Sequence, residues 1–183
     1  MALPTRDQAQ QILTEHVKDA YQVLHAQMIA NAMEFYGNKF GEDKDLWFIT
    51  GLLHDVDYFE FPDTHPDKSL EWFKEWGYPV ELIDAVNAHG LKQPRLEPKT
   101  RLAKALIAID ELAGLIYAYS LMRPTGFEGM EAKSILKKFK DHNFAAKISR
   151  EEVQYGVDLF GVDFAELVQD MIGVFQKMGV TKV

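Results

Sequence analysis

Apolar residues recur at every third or fourth position along nearly the whole chain, and no run shows the alternation that a strand surface requires. A first helix is expected from about Thr5 to Lys18. A second runs from about Asp19 to Tyr36, with Tyr21, Leu24, Met28, Ala32 and Phe35 on one stripe and Gly37 and Gly41 as its stop. A third, from about Asp43 to Val56, carries Trp47, Phe48, Ile49, Leu52 and Leu53. An aromatic, polar loop with Pro62 and Pro66 follows. Shorter helices are expected over Pro66 to Trp76 and Pro79 to His89, where Pro79 suits a first helical turn. The longest should run from about Lys99 to Met122, broken by Arg123-Pro124-Thr125-Gly126. Three more lie near Ala132 to Lys140, Ser149 to Phe160 and Asp163 to Met178. The pattern predicts an all-α protein. It reads as an irregular helical bundle in one domain over 1–183, with a core at about 19–122 and a helical extension at about 123–183.

Composition narrows the classes. The 183 residues are 47% hydrophobic and 26% charged, an ordinary globular balance that argues against disorder. There is no cysteine, which excludes disulfides, thiolate nucleophiles and Cys-based zinc sites. No apolar run approaches the roughly 18 residues of a membrane span, and the first residues lack a basic-then-apolar signal segment. A cytoplasmic protein is expected. The formal net charge of -8 argues against polymeric nucleic acid as a partner. One basic cluster, Lys133, Lys137, Lys138, Lys140, Lys147 and Arg150, reads first as a solvated helix face.

Four polar residues interrupt apolar faces. Asp110 lies on the face through Ala103, Leu106, Ile107, Ala113, Gly114 and Tyr117. A carboxylate there is costly unless it is paired or bound to a cation. His25 has Tyr21, Met28, Ile29 and Ala32 at helical spacing. His54-Asp55 ends the apolar run Ile49-Thr50-Gly51-Leu52-Leu53. Each has a plain structural alternative: a helix-edge ion pair for Asp110, a hydrogen-bonded core histidine for His25, and C-terminal punctuation for His54-Asp55. One metal ion would satisfy all four together. Imidazole and carboxylate suit Mn²⁺, Fe²⁺ or Zn²⁺, and Mg²⁺ less well.

The order His25, then His54-Asp55 after Gly-Leu-Leu, then Asp110 in a long helix resembles the H…HD…D signature of the HD-domain superfamily. The stretches Leu53-His54-Asp55-Val56-Asp57-Tyr58, Thr64-His65-Pro66 and Asp110-Glu111-Leu112-Ala113-Gly114-Leu115-Ile116 look like a bacterial branch of HD hydrolases. So do Lys137-Lys138-Phe139-Lys140, Asn143-Phe144-Ala145-Ala146 and Ser149-Arg150-Glu151-Glu152. The resemblance implies an HD-type helical fold and phosphoester hydrolysis at one or two divalent metals. It departs from common members in two places. Asp57-Tyr58 stands where many carry Gly-Lys, and His89 is followed by Gly90 where binuclear members often have a second histidine.

The resemblance implies hydrolysis of a small phosphorylated substrate, such as a nucleotide, by a metal-activated water. Asp55 would serve as ligand and catalytic group, and Asp57 would either orient or deprotonate that water or cap the loop. Lys92 and Arg95 would either contact the phosphate or stand as exposed loop charges. His65 and His89 would hold a second ion, with Asp55 bridging, or lie outside the coordination shell. Two rival readings stand beside this one: a non-catalytic metal-binding sensor or interaction module, and a di-iron oxygenase built on the same fold.

Overall fold

The computed structural model describes residues 3–90 and 96–180. Among them every regular element is helical, as the periodicity predicts, and no strand forms. The helices are α1 (Arg6–His16), α2 (Ala20–Phe40), α3 (Lys44–Leu53), α4 (Asp67–Glu75), α5 (Val80–His89), α6 (Arg101–Leu121), α7 (Ala132–Phe139), α8 (Arg150–Phe160) and α9 (Phe164–Lys177). None is long and apolar enough to cross a membrane. The chain divides into two compact units, Met1–Leu106 and Ile107–Val183, and the division falls within α6.

Local chemistry starts most of these helices. Thr5 accepts from the Gln8 N–H while the Gln8 side chain returns to the Thr5 N–H, a reciprocal capping box. Asp19, Asp43, Ser149 and Asp163 cap α2, α3, α8 and α9 through their side-chain oxygens. Pro79 sits one position before α5, at its N-cap.

In the first unit α2 and α3 are the central pair. Ala26, Met28, Ile29, Met33 and Tyr36 of α2 are buried, as are Trp47, Ile49, Leu52 and Leu53 of α3. Two glycines set how closely they approach. A Cβ at Gly51 would lie 2.9 Å from the Ala30 Cα and N, so α3 rests on the backbone of α2. At Gly37 a Cβ would meet the Trp47 side chain at 2.9 Å. Gly37 therefore does not stop α2, contrary to the sequence expectation. It is an interior contact, and the stop is Gly41, which takes the left-handed conformation (φ 70). Tyr21 also departs from its expected apolar stripe and is 40% exposed. Arg6 ties α1 to both helices through Glu34 (2.7 Å) and Asp45 (2.6 Å). Hydrogen bonding to Glu34 is the main reason its pKa is raised.

In the second unit α7 packs on α9, and Gly156 of α8 meets the α6 backbone at Ile107 and Ala108. The expected basic face is only partly solvated. Lys133 pairs with Glu131 and Lys138 with Asp141. The Arg150 guanidinium turns onto backbone carbonyls, donating to Phe139, Asp141, Phe144, Ala145 and Ile148. Five carbonyls of one loop thus converge on one planar fork, a task that a lysine ammonium with three donors cannot match.

Two stability predictions follow from these contacts. Gly51→Ala forces α2 and α3 apart and lowers stability by about 1–3 kcal/mol, the usual cost of overpacking, as a fall in the urea midpoint. Arg150→Lys strands several carbonyls and costs about 1–3 kcal/mol in the same assay. An unchanged midpoint in either variant would show that the contact carries no stability.

Candidate metal centre

Four imidazoles of the first unit come together because of where their helices run and end. His25 lies in the first half of α2, half-buried among apolar neighbours. His54 is the C-cap of α3 and fully buried. His89 is the last residue of α5. His65 ends the turn-rich loop after α3, immediately before Pro66, the N-cap of α4. Ring centroids run His25 to His54 at 5.6 Å, His54 to His89 at 5.3 Å and His89 to His65 at 5.1 Å. Asp55, with its side chain 31% exposed, lies against this row.

Hydrogen bonds fix how three of the rings face. The last carbonyls of a helix have no partner in the next turn, and two histidines use them. His54 Nδ1–H donates to Gly51 O at 2.7 Å, and His89 Nδ1–H donates to Val86 O at 2.6 Å. A carbonyl only accepts, so both Nδ1 atoms carry a proton and a neutral ring leaves Nε2 as a lone pair. His65 reaches the same state differently. Its Nδ1–H donates to Asp57 Oδ1 at 2.7 Å.

The three Nε2 atoms meet Asp55. His65 Nε2 and His89 Nε2 each lie 3.2 Å from Asp55 Oδ1 and 3.2 Å from one another. The other Asp55 oxygen, Oδ2, lies 3.5 Å from His54 Nε2. Donor atoms of His25, His54 and Asp55 form one group within 4.8 Å of one another, and those of Asp55, His65 and His89 form another. Asp55 belongs to both.

This arrangement fits a cation. With neutral rings, the 3.2 Å triangle holds two nitrogen lone pairs and a carboxylate oxygen, which repel one another unless positive charge sits between them. Ligands bound to one ion at about 2.0–2.2 Å are spaced about 3.0–3.5 Å apart in octahedral or tetrahedral geometry. The triangle therefore has the edge length of a coordination polyhedron. Its two-nitrogen, one-oxygen donor set suits Mn²⁺, Fe²⁺ or Zn²⁺.

A family model for the HD domain matches residues 8–115, more than half of the chain and a span that includes His25, His54, Asp55 and Asp110. The chain belongs to the HD-domain family. Members are generally metal-dependent phosphohydrolases. Comparison with curated proteins and with solved structures gave no match.

Set beside the HD signature, the expected residues fall into four groups. His25, His54, Asp55, His65 and His89 come together in the first unit. Asp110 is half-buried on α6, in the second unit. Lys92 and Arg95 lie outside the described residues. Asp57 was expected either to orient a reacting water or to cap the loop. It is fully buried, with Oδ1 accepting from His65 and Oδ2 from the Ser69 N–H at 3.1 Å. Ser69 was missed from sequence, since a backbone N–H leaves no mark on residue type.

The structure also explains the departure at Gly90. A Cβ there would sit 2.7 Å from Pro66 Cδ and 3.0 Å from Cγ. Proline's ring cannot swing away, so a side chain at position 90 would press on the residue next to His65. In this HD domain a second histidine after His89 has no room. Gly90→Ala should shift His65 off the triangle and weaken Mn²⁺ binding by about 10-fold, an effect of the size seen when support around a ligand is lost. Isothermal titration of both proteins checks this, and equal affinities would mean that the Pro66 contact does not position His65.

Proposed function

We propose that the protein hydrolyses a small phosphoester, such as a nucleotide, with divalent metal held by the histidine and aspartate cluster. The observation that carries this reading is the 3.2 Å triangle of Asp55 Oδ1, His65 Nε2 and His89 Nε2. Membership of the HD-domain family supports the reaction class. His25, His54 and Asp55 would hold one ion, with Asp110 added as fourth ligand on the order of the HD signature. Asp55, His65 and His89 would hold a second, with Asp55 shared. Bound there, a divalent ion polarises a phosphoryl oxygen and makes water a stronger nucleophile near neutral pH.

The chain's own residues set the rest of the site. The Nδ1 bonds of His54 and His89 to carbonyls lock both rings, so no reorganisation is needed when charge develops. His54 is fully buried, which keeps water from competing for that side of the site. Asp55 is more exposed than His54, His65 or His89, which supports entry of substrate at its carboxylate. Lys92 and Arg95 remain proposed phosphate contacts from their place directly after His89 in sequence.

The deciding experiment combines metal analysis with phosphate release from nucleotides and sugar phosphates, and with ring opening of cyclic nucleotides to monophosphates, in Mn²⁺, Fe²⁺, Zn²⁺ and Mg²⁺. Wild type should carry divalent metal and turn over at least one class. Asp55→Ala should lose metal to background and all turnover, while its helical circular dichroism stays largely intact. Metal held with no turnover across the panel would favour a sensor. Two irons with oxygen uptake would favour oxidative chemistry, for which the sharing of Asp55 between two donor groups is the supporting geometry.

A further inference from the structure

We infer that Asp57 is a positioning residue that sets the tautomer of His65 and aims its Nε2 lone pair at Asp55 and His89. The metal arm of this inference rests on the reading above; the tautomer arm does not.

The argument is one of counting donors and acceptors. Asp57 is 0% exposed, and a buried carboxylate needs each oxygen satisfied. Its Oδ2 accepts the Ser69 backbone N–H at 3.1 Å. That N–H stands early in α4 (Asp67–Glu75), where helix donors lack intrahelical partners. Ser69 is held in turn by its own hydroxyl, which donates to Pro66 O at 2.8 Å. The loop therefore delivers one fixed acceptor, Asp57 Oδ1, to His65 at 2.7 Å. An acceptor at Nδ1 puts the proton of a neutral ring on Nδ1 and the lone pair on Nε2. His54 and His89 obtain the same tautomer from carbonyls within their own helices. His65 precedes α4 and has no such carbonyl three residues back in a helix. Asp57 supplies the missing acceptor. A carboxylate behind the ring also makes Nε2 a stronger donor to a cation than a carbonyl would.

Asp57→Asn separates this role from simple loop support. The amide is nearly the same size but offers one oxygen and one NH₂. The Ser69 backbone cannot give up its proton, so it takes the oxygen. The NH₂ then faces His65 Nδ1, which must accept, and the ring proton moves to Nε2. That proton would point at Asp55 and His89. His89 is an internal control, because its Nδ1–H faces Val86 O and should not respond.

The test is long-range ¹H–¹⁵N correlation spectroscopy of the histidines in metal-free protein at mildly alkaline pH. Wild-type His65 should be protonated on Nδ1. In Asp57→Asn it should move to Nε2 while His89 is unchanged. Mn²⁺ titration should show affinity about 10–100-fold weaker in the variant, the range for lost support of a ligand histidine. The inference is overturned if wild-type His65 already carries its proton on Nε2, a measurement that needs no variant and survives any failure of Asp57→Asn to fold. It is also overturned if a folded Asp57→Asn keeps the wild-type tautomer, or changes tautomer with Mn²⁺ affinity intact. Absence of Mn²⁺ binding by wild type would defeat the proposed function, while the tautomer result would still decide the role of Asp57.

Discussion

Everything at the cluster turns on the meeting of Asp55 with Nε2 lone pairs. A carboxylate and two imidazole nitrogens stand 3.2 Å apart, and their Nδ1 protons are already committed elsewhere. Positive charge between them is the condition for the arrangement to persist, and a proton or a metal ion can supply it. A single proton bridges two atoms along one line. A metal ion bonds all three at once, and the equal sides of the triangle match that geometry.

The fold meets this condition with one device used twice. α3 and α5 each end on a histidine whose ring turns back to the carbonyl three residues earlier. The same bond satisfies an orphan carbonyl of the last turn and points Nε2 forward, so helix termination and ligand orientation are one event. The glycine contact between α3 and α2 then sets the depth of His54 against His25, and the Pro66–Gly90 contact brings the His65 loop to the end of α5. Small residues are required at both points because what approaches them is backbone or a rigid ring.

Much of this was legible in the chain. Periodicity located the helices of the described residues, and the short side chains of Thr5, Asp19, Asp43, Ser149 and Asp163 cap five of them where they were expected to start. His25, His54, Asp55 and Asp110 stood out as polar residues on apolar faces. Gly37 misled, because a glycine packed under a tryptophan and a glycine ending a helix look alike until the partner helix is known. For Asp57, proximity to the His54-Asp55 pair suggested chemistry, and its bond to a backbone N–H of α4 is a feature that no residue type reveals. Gly90 showed in sequence only that a second histidine is absent after His89; the steric limit set there by Pro66 is visible only in the fold.

Charge links the cluster to its proposed substrate. The chain carries a formal net charge of -8, so a phosphorylated molecule meets repulsion at long range. Several cations of the first unit are already spent: Arg6 on Glu34 and Asp45, Arg101 on Glu42, and Lys68 on Glu71. Each of these pairs joins elements or spans one turn of a helix. Attraction for an anion must then arise locally. Divalent ions on neutral imidazoles supply it best, because imidazole ligands neutralise none of the ion's charge, whereas every added carboxylate cancels one unit. A cluster dominated by histidine, with Asp55 shared between two donor groups, therefore leaves more positive charge facing a phosphate than an all-carboxylate site of equal size. In an acidic protein that difference would favour the approach of the phosphoester proposed as substrate.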